Sequence, residues 1–223
     1  MNSMFNFIEQ IREVSGKPVG IKMVIGSEET FEELVSYMAQ TNRHPDFITI
    51  DGGEGGTGAT YQAMADSVGL PIKPALLIAQ KLLQKYEVRD KITLIASGKL
   101  YSPDRIAIAL SLGADVVQIA RGLMIAVGCI GAQKCHSNEC PVGVATTNPK
   151  LQKALVVDEK RYRVTNYITT LREELYMLAA AAGITSPRQF NEQHIVYVGQ
   201  DFQVNTINQV KQEEKENDLL LIS

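Results

Sequence analysis

The sequence has no long apolar run, no excess of positive charge and only three cysteines among 223 residues. Without a stretch of about 18 apolar residues, a membrane-spanning helix is not expected. A formal net charge of −3 removes the basic patch that non-specific nucleic-acid binding needs. Neither nucleic acid nor membrane is therefore an expected partner. The segment from Met1 to Glu13 mixes apolar and charged residues. It lacks the apolar core of a secretory signal, so the expected compartment is the cytoplasm. There is no short-period repeat and no Ser/Pro-rich linker. The cysteines, Cys129, Cys135 and Cys140, are bunched together. An odd, clustered set makes a poor disulfide framework and in a cytoplasmic chain reads as metal-binding.

What the chain does have is an alternation of apolar strand-like runs and amphipathic helices. Pro18 to Ile25 reads as a strand. Ser27 then caps a helix with Glu28 and Glu29 in its first turn, where the helix dipole favours acids. That helix places Phe31, Leu34, Val35 and Met38 on one face. Phe47 to Ile50 is a second strand, followed by a glycine-rich loop from Asp51 to Ala59. Pro74 opens an apolar helix running to about Tyr86. Lys91 to Ala96 is a third strand, and Ser102-Pro103-Asp104 starts a helix that Gly113 closes. Asp115 to Ala120 is a fourth strand. Near-continuous apolar strands between helices indicate a parallel sheet covered on both faces. Beyond Pro141 the pattern is mostly helical, with a helix over Tyr162 to Ala182 stopped by Gly183. A charged tail begins at Gln209. Two parts are expected: 1–145, carrying the strands and the cysteines, and 146–223, a helical extension with a tail.

Glycines and polar residues follow the strands, at their C-terminal ends, where (β/α)8 barrels place their chemistry. The loop after the second strand, Asp51-Gly52-Gly53-Glu54-Gly55-Gly56-Thr57-Gly58-Ala59, is acidic as well as glycine-rich. Its backbone can approach a ligand closely, and its two carboxylates suit a substrate better than a phosphate. Ser97-Gly98-Lys99 and Arg121-Gly122 end the third and fourth strands. Their N–H groups and cations suit a phosphate. Lys22 stands in the middle of an apolar strand, a costly place for a cation unless it snorkels out or faces negative charge in a site. Of the cysteines, a zinc site would need His136 as a fourth ligand beside the adjacent Cys135, whereas a three-iron cluster needs only three thiolates.

These segments resemble the FMN-binding domain of glutamate synthase. The resemblance rests on GKPVGIKMV, DFITIDGGEGGTGA, IASGKL and GCIGAQKCHSNECPVGVATTNP, which span roughly residues 16 to 149. It implies an α/β fold, the C-terminal half of a (β/α)8 TIM barrel with strands five to eight, holding FMN. Lys22 matches the strand-five lysine near flavin and substrate. Asp51, Gly52, Gly53, Glu54, Gly55, Gly56 and Thr57 match the loop lining a 2-oxoglutarate pocket. Ser97, Gly98, Lys99, Arg121 and Gly122 match the phosphate-binding strand ends. Cys129, Cys135 and Cys140 match the ligands of a [3Fe–4S] cluster, the relay of electrons to the flavin. The implied reaction joins ammonia to 2-oxoglutarate as 2-iminoglutarate and reduces it to L-glutamate through FMN.

Two departures set further expectations. Position 2 is Asn2 and no nucleophilic cysteine lies near the start, so ammonia is expected from solution or from a glutaminase partner. An electron-donor partner is also expected. Only four barrel strands are visible, so a homo-oligomer, or a complex with a chain supplying the other half, is expected to cover an apolar inner face. Ile21, Met23, Ile48, Ile50, Leu94, Val117 and Ile119 are among the apolar candidates on either face of the sheet. The competing readings are another FMN-dependent barrel oxidoreductase, which would not need three clustered cysteines, and a non-catalytic remnant or cofactor-binding subunit.

Overall fold

The structure is a computed structural model that describes residues 1–55, 64, 68–198, 203–207 and 209. Its elements run α1 (Asn2–Ser15), β1 (Gly20–Val24), α2 (Glu28–Thr41), β2 (Phe47–Asp51), α3 (Ile72–Lys85), β3 (Thr93–Ser97), α4 (Pro103–Ser111) and β4 (Val116–Gln118). They continue with α5 (Arg121–Ala126), α6 (Pro149–Gln152), α7 (Val157–Ala181), β5 (Val196–Val198) and β6 (Val204–Thr206). The first four strands form one parallel sheet in the order β1-β2-β3-β4. This is an α/β fold in which each strand is joined to the next through a helix.

The core follows from register. Ile21 pairs with Ile48 and Ile48 with Leu94, while Met23, Ile50, Ala96 and Val117 form the next row. Residues in register share a face. Ile48, Ile50, Leu94 and Ala96 are completely buried on that face, together with Val35 and Met38 of α2 and Leu76, Ala79 and Leu83 of α3. Each large aliphatic side chain buried this way contributes about 1.5–3 kcal/mol of transfer free energy. Ser27 accepts the Thr30 N–H and starts α2 as its sequence requires.

The expected apolar inner face is corrected by the same register. Ile21, Met23, Ile48, Ile50, Leu94 and Val117 all lie on the helix-covered side. The opposite face carries Lys22, Val24, Phe47, Thr49, Asp51, Ile95, Ser97, Val116 and Gln118. Among the described residues this second face is open at both flanks: Val24 is 44% and Val116 45% exposed, and Lys22 and Gln118 are exposed too. The centre of this face is not open, since Thr49 is 1% exposed and Phe47, Ile95 and Ser97 are half-buried, and the face is mixed in polarity.

Several boundaries also differ from the sequence pattern. Helix α3 begins at Ile72, two residues before Pro74, because proline is tolerated within a first helical turn. Arg89–Lys91 forms a 3-10 turn, so β3 starts at Thr93. Asp115 stays outside β4 because its carboxylate accepts the Leu94 N–H at 2.8 Å and pairs with Arg89 at 2.9 Å. Helix α7 starts earlier than Tyr162 and packs Leu171 and Ala179 inward. After it comes an antiparallel ribbon of β5 and β6 rather than further helix. Position 210 onward lies outside the described residues.

Helix α1 is tied to the sheet's N-terminal edge. The rings of Phe5 and Tyr37 stack with centroids 5.1 Å apart. Arg12 bonds Asp46 at 3.0 Å, and the Val19 N–H donates to the same carboxylate at 2.6 Å. The N-terminal ends of the strands are thus devoted to structure, and the opposite ends are left for chemistry.

Candidate functional site

Because the four strands are parallel, their C-terminal residues share one rim. Register sets Val24, Asp51, Ser97 and Gln118 side by side there, with Lys22, Thr49, Ile95 and Val116 one step below on the same face, exposed at the flanks and buried at Thr49. Lys22 Nζ lies 2.8 Å from Asp51 Oδ2, and the two side chains are 55% and 26% exposed. The lysine thus faces negative charge and is also half exposed. Side chains alternate along a strand, so Ile21 and Met23 enter the core while Lys22 points to the open side and keeps its hydration.

The chain turns sharply after Asp51, with Gly53–Gly55 in a 3-10 turn. The Gly52 N–H donates to the Ser97 carbonyl at 2.7 Å, and the Gly53 N–H to the Leu70 carbonyl at 2.8 Å. Both Glu54 carboxylate oxygens accept the Ile72 N–H, at 3.1 and 3.0 Å. Gly56 and Thr57, like Gly58 and Ala59, lie outside the described residues. Gly98 has φ 142°, and a Cβ there would stand 3.1 Å from the Gly52 nitrogen. The two glycine loops therefore pack directly on each other. At these positions glycine is needed for contact between backbones, whatever ligand approaches.

Lys99 follows with φ 48°, and its carbonyl accepts from Arg105 at 3.4 Å. Arg121 is the first residue of α5, and Gly122 is buried behind it. A side chain at Gly122 would collide with the Tyr167 hydroxyl. That hydroxyl donates to the Tyr101 carbonyl at 2.7 Å, and burial pushes its pKa up. A groove of about 350 Å3 opens beside Gly122, bordered by Tyr101, Ile125, Ala126, Arg163 and Tyr167. Spacing gives no hint of this contact, since Tyr167 arrives from α7, 66 positions after Tyr101. Gln118 was also unmarked in the sequence, although its alternation with Val116 assigns it to the same face.

Cys129 and Cys135 are partly exposed and Cys140 is buried. The Gly131 N–H donates to Cys129 Sγ at 3.5 Å. The Ala145 N–H holds the Cys140 thiol below its ordinary pKa; burial opposes this, and the N–H groups of Val142, Val144 and Gly143 reinforce it. Backbone N–H groups aimed at sulfur suit a thiolate ligand. Among the described residues, however, no three Cys, His, Asp or Glu side chains gather as a metal-binding group. The structure places the three cysteines in one loop without bringing their thiols together. No described helix is long and apolar enough to cross a membrane.

A parallel sheet flanked by helices, with an ion pair, a hydroxyl and an amide along its C-terminal rim, defines an α/β protein. The region conserved in glutamate synthases matches residues 1–185. The chain belongs to the glutamate synthase family. It is 57% identical over 205 residues to the glutamate synthase large subunit-like protein YerD of Bacillus subtilis (strain 168), covering 92% of this chain and 39% of that protein. It is 38% identical over 141 residues to the archaeal glutamate synthase (NADPH) of Methanocaldococcus jannaschii, covering 63% of this chain and 28% of that protein. The glutamate synthase (NADPH) large chain of Bacillus subtilis (strain 168) is 36% identical over 138 residues, covering 62% of this chain and 9% of that protein. The chain thus spans well under half the length of these relatives.

Proposed function

We propose that this chain is the flavin-binding half of a glutamate synthase-type oxidoreductase, built as the C-terminal half of a (β/α)8 barrel. Its reaction would reduce 2-iminoglutarate, formed from 2-oxoglutarate and ammonia, to L-glutamate. The observation that carries this reading is the Lys22–Asp51 pair on the open face of the rim, in a chain whose family match spans that rim. FMN, when bound, supplies the hydride. The rim suits it: Ser97 and Gln118 offer hydrogen bonds, and Gly98, Lys99, Arg121 and Gly122 would hold its phosphate. Lys22 would stand beside the reacting groups and help to attract and orient a carboxylate. The loop from Asp51 to Thr57 would line the 2-oxoglutarate pocket.

Cys129, Cys135 and Cys140 would hold a [3Fe–4S] cluster, for which three soft thiols in one loop and the N–H groups around Cys140 are suitable donors. Two relatives are named as a large subunit-like protein and a large chain. By analogy, this chain would work with an electron-donor or glutaminase partner. The open face and the two edge strands, β1 and β4, favour a homo-oligomer or a complex with a chain that adds strands. Light scattering checks this: a monomer that binds FMN tightly would show that the face needs no cover.

The direct test is an absorbance spectrum and FMN titration of anaerobically purified chain. Added 2-oxoglutarate, ammonia and a chemical reductant should then yield glutamate. Absence of flavin both as purified and after titration would defeat the reading.

A further inference from the structure

We infer that Glu54 is a positioning residue: its carboxylate clips the glycine turn after β2 to the first turn of α3 and so fixes the wall between the two glycine loops. This rests on the reading of the rim given above and assigns one residue of it a different kind of work. The first N–H groups of a helix have no partner within it, and the residue before α3 is Pro71, whose side chain makes no capping bond. Glu54 supplies the missing acceptor from 18 positions upstream, with both oxygens on the Ile72 N–H at 3.1 and 3.0 Å. An anionic acceptor is favoured at that end of a helix.

The surroundings are shaped for this contact. A Cβ at Gly52 would run into the Glu54 carboxylate and stand 2.7 Å from the Ile72 nitrogen. The turn is also tied to β3 through the Gly52 N–H and Ser97 carbonyl at 2.7 Å. A Cβ at Gly55 would stand 3.0 Å from Gly98 Cα. A cavity of about 230 Å3 opens alongside, bordered by Glu54, Ile72, Lys73, Gly98 and Arg105. The carboxylate is thus spent on backbone, and releasing it would free the turn that abuts Gly98.

The test compares Glu54→Ala and Glu54→Gln in the full chain by amide exchange, NMR shifts, and titration with FMN and 2-oxoglutarate. In Glu54→Ala the Ile72 amide should exchange about fivefold faster or more, as for a lost cap. The Gly98 resonance should move, and ligand affinity should fall about tenfold. Glu54→Gln keeps one acceptor oxygen and should restore affinity to within about threefold of wild type. Unchanged Ile72 exchange and Gly98 resonance in Glu54→Ala would overturn the clip. So would a Glu54→Gln variant that loses 2-oxoglutarate as fully as Glu54→Ala with Ile72 exchange intact, since Glu54 would then touch substrate directly. A wild-type chain that binds neither ligand would defeat the functional reading, while the amide exchange would still decide the clip.

Discussion

Lys22 and Asp51 form a diagonal pair: Lys22 registers with Thr49 and Asp51 with Val24, yet their charged ends meet at 2.8 Å across β1 and β2. The pair points Lys22 along the rim and toward the ends of the neighbouring strands. It also holds the lysine in place, where under the proposed function a ligand carboxylate would meet it.

An exposed pair of this kind contributes at most about 1 kcal/mol to stability. Lys22→Ala should therefore lower Tm by no more than about 4 °C. Its 2-oxoglutarate affinity should fall at least tenfold, about 1.4 kcal/mol. Calorimetry separates the two effects. A Lys22→Ala chain that binds 2-oxoglutarate like wild type would remove Lys22 from the site.

Gly98 carries both a packing role and a proposed phosphate role. Its φ of 142° and the 3.1 Å approach to Gly52 make any side chain there strained. Gly98→Val should cost about 1–3 kcal/mol of stability and weaken FMN at least tenfold, about 1.4 kcal/mol. Titration well below the melting temperature keeps the effects apart. A lowered Tm with unchanged FMN affinity would leave Gly98 as packing alone and move the phosphate elsewhere.

What was legible in the sequence was whatever is decided locally. Ser27, Glu28 and Glu29 announced α2, and Phe31, Leu34, Val35 and Met38 are all buried as their spacing requires. The order of strands and helices was legible for the same reason. The start of α3 was not, because the acceptor for its first N–H comes from Glu54, far away in sequence. The exposure of Lys22 was half legible: the run Gly20 to Val24 is apolar on both sides of the strand apart from this lysine, so the pattern left snorkelling and a site-facing cation both open. The ribbon of β5 and β6 was missed although Val196-Tyr197-Val198 has strand composition. Three residues, all exposed, leave no burial pattern to read. The Tyr101–Tyr167 contact beside Gly122 is purely tertiary and left no trace in spacing.

Asp46 should govern part of the acid limb of stability. Burial raises its carboxyl pKa, but the Val19 N–H and Arg12 outweigh that and hold it below the ordinary value. A depressed carboxyl stabilises the fold above its unfolded pKa of about 3.9 and loses that contribution as pH falls through the folded value. Asp46→Asn should be less stable than wild type at neutral pH, with the difference shrinking as pH drops toward and below 3.9. Urea melts across that range test this. A difference that stays constant with pH would mean that Asp46 acts through its hydrogen bonds and not its charge.

The cysteine loop makes the sharpest demand on the proposed cofactors. Its donors are soft, and Cys140 already sits among the N–H groups of residues 142–145, but the three thiols do not meet in one metal-binding group. A bound cluster would have to draw Cys129 and Cys135 toward Cys140. Both are partly exposed, in a segment where Gly131, Gln133 and Asn138 have positive φ, so only turns and no helix or strand would have to move. Anaerobically purified chain should therefore contain iron and sulfide, and Cys135→Ser should abolish the cluster absorbance while leaving FMN binding within about twofold, since an affinity change that small is under 0.5 kcal/mol. Elemental analysis that finds zinc and neither iron nor sulfide in the wild-type chain would reject the cluster. Loss of flavin together with the cluster in Cys135→Ser would mean instead that the loop supports the rim itself.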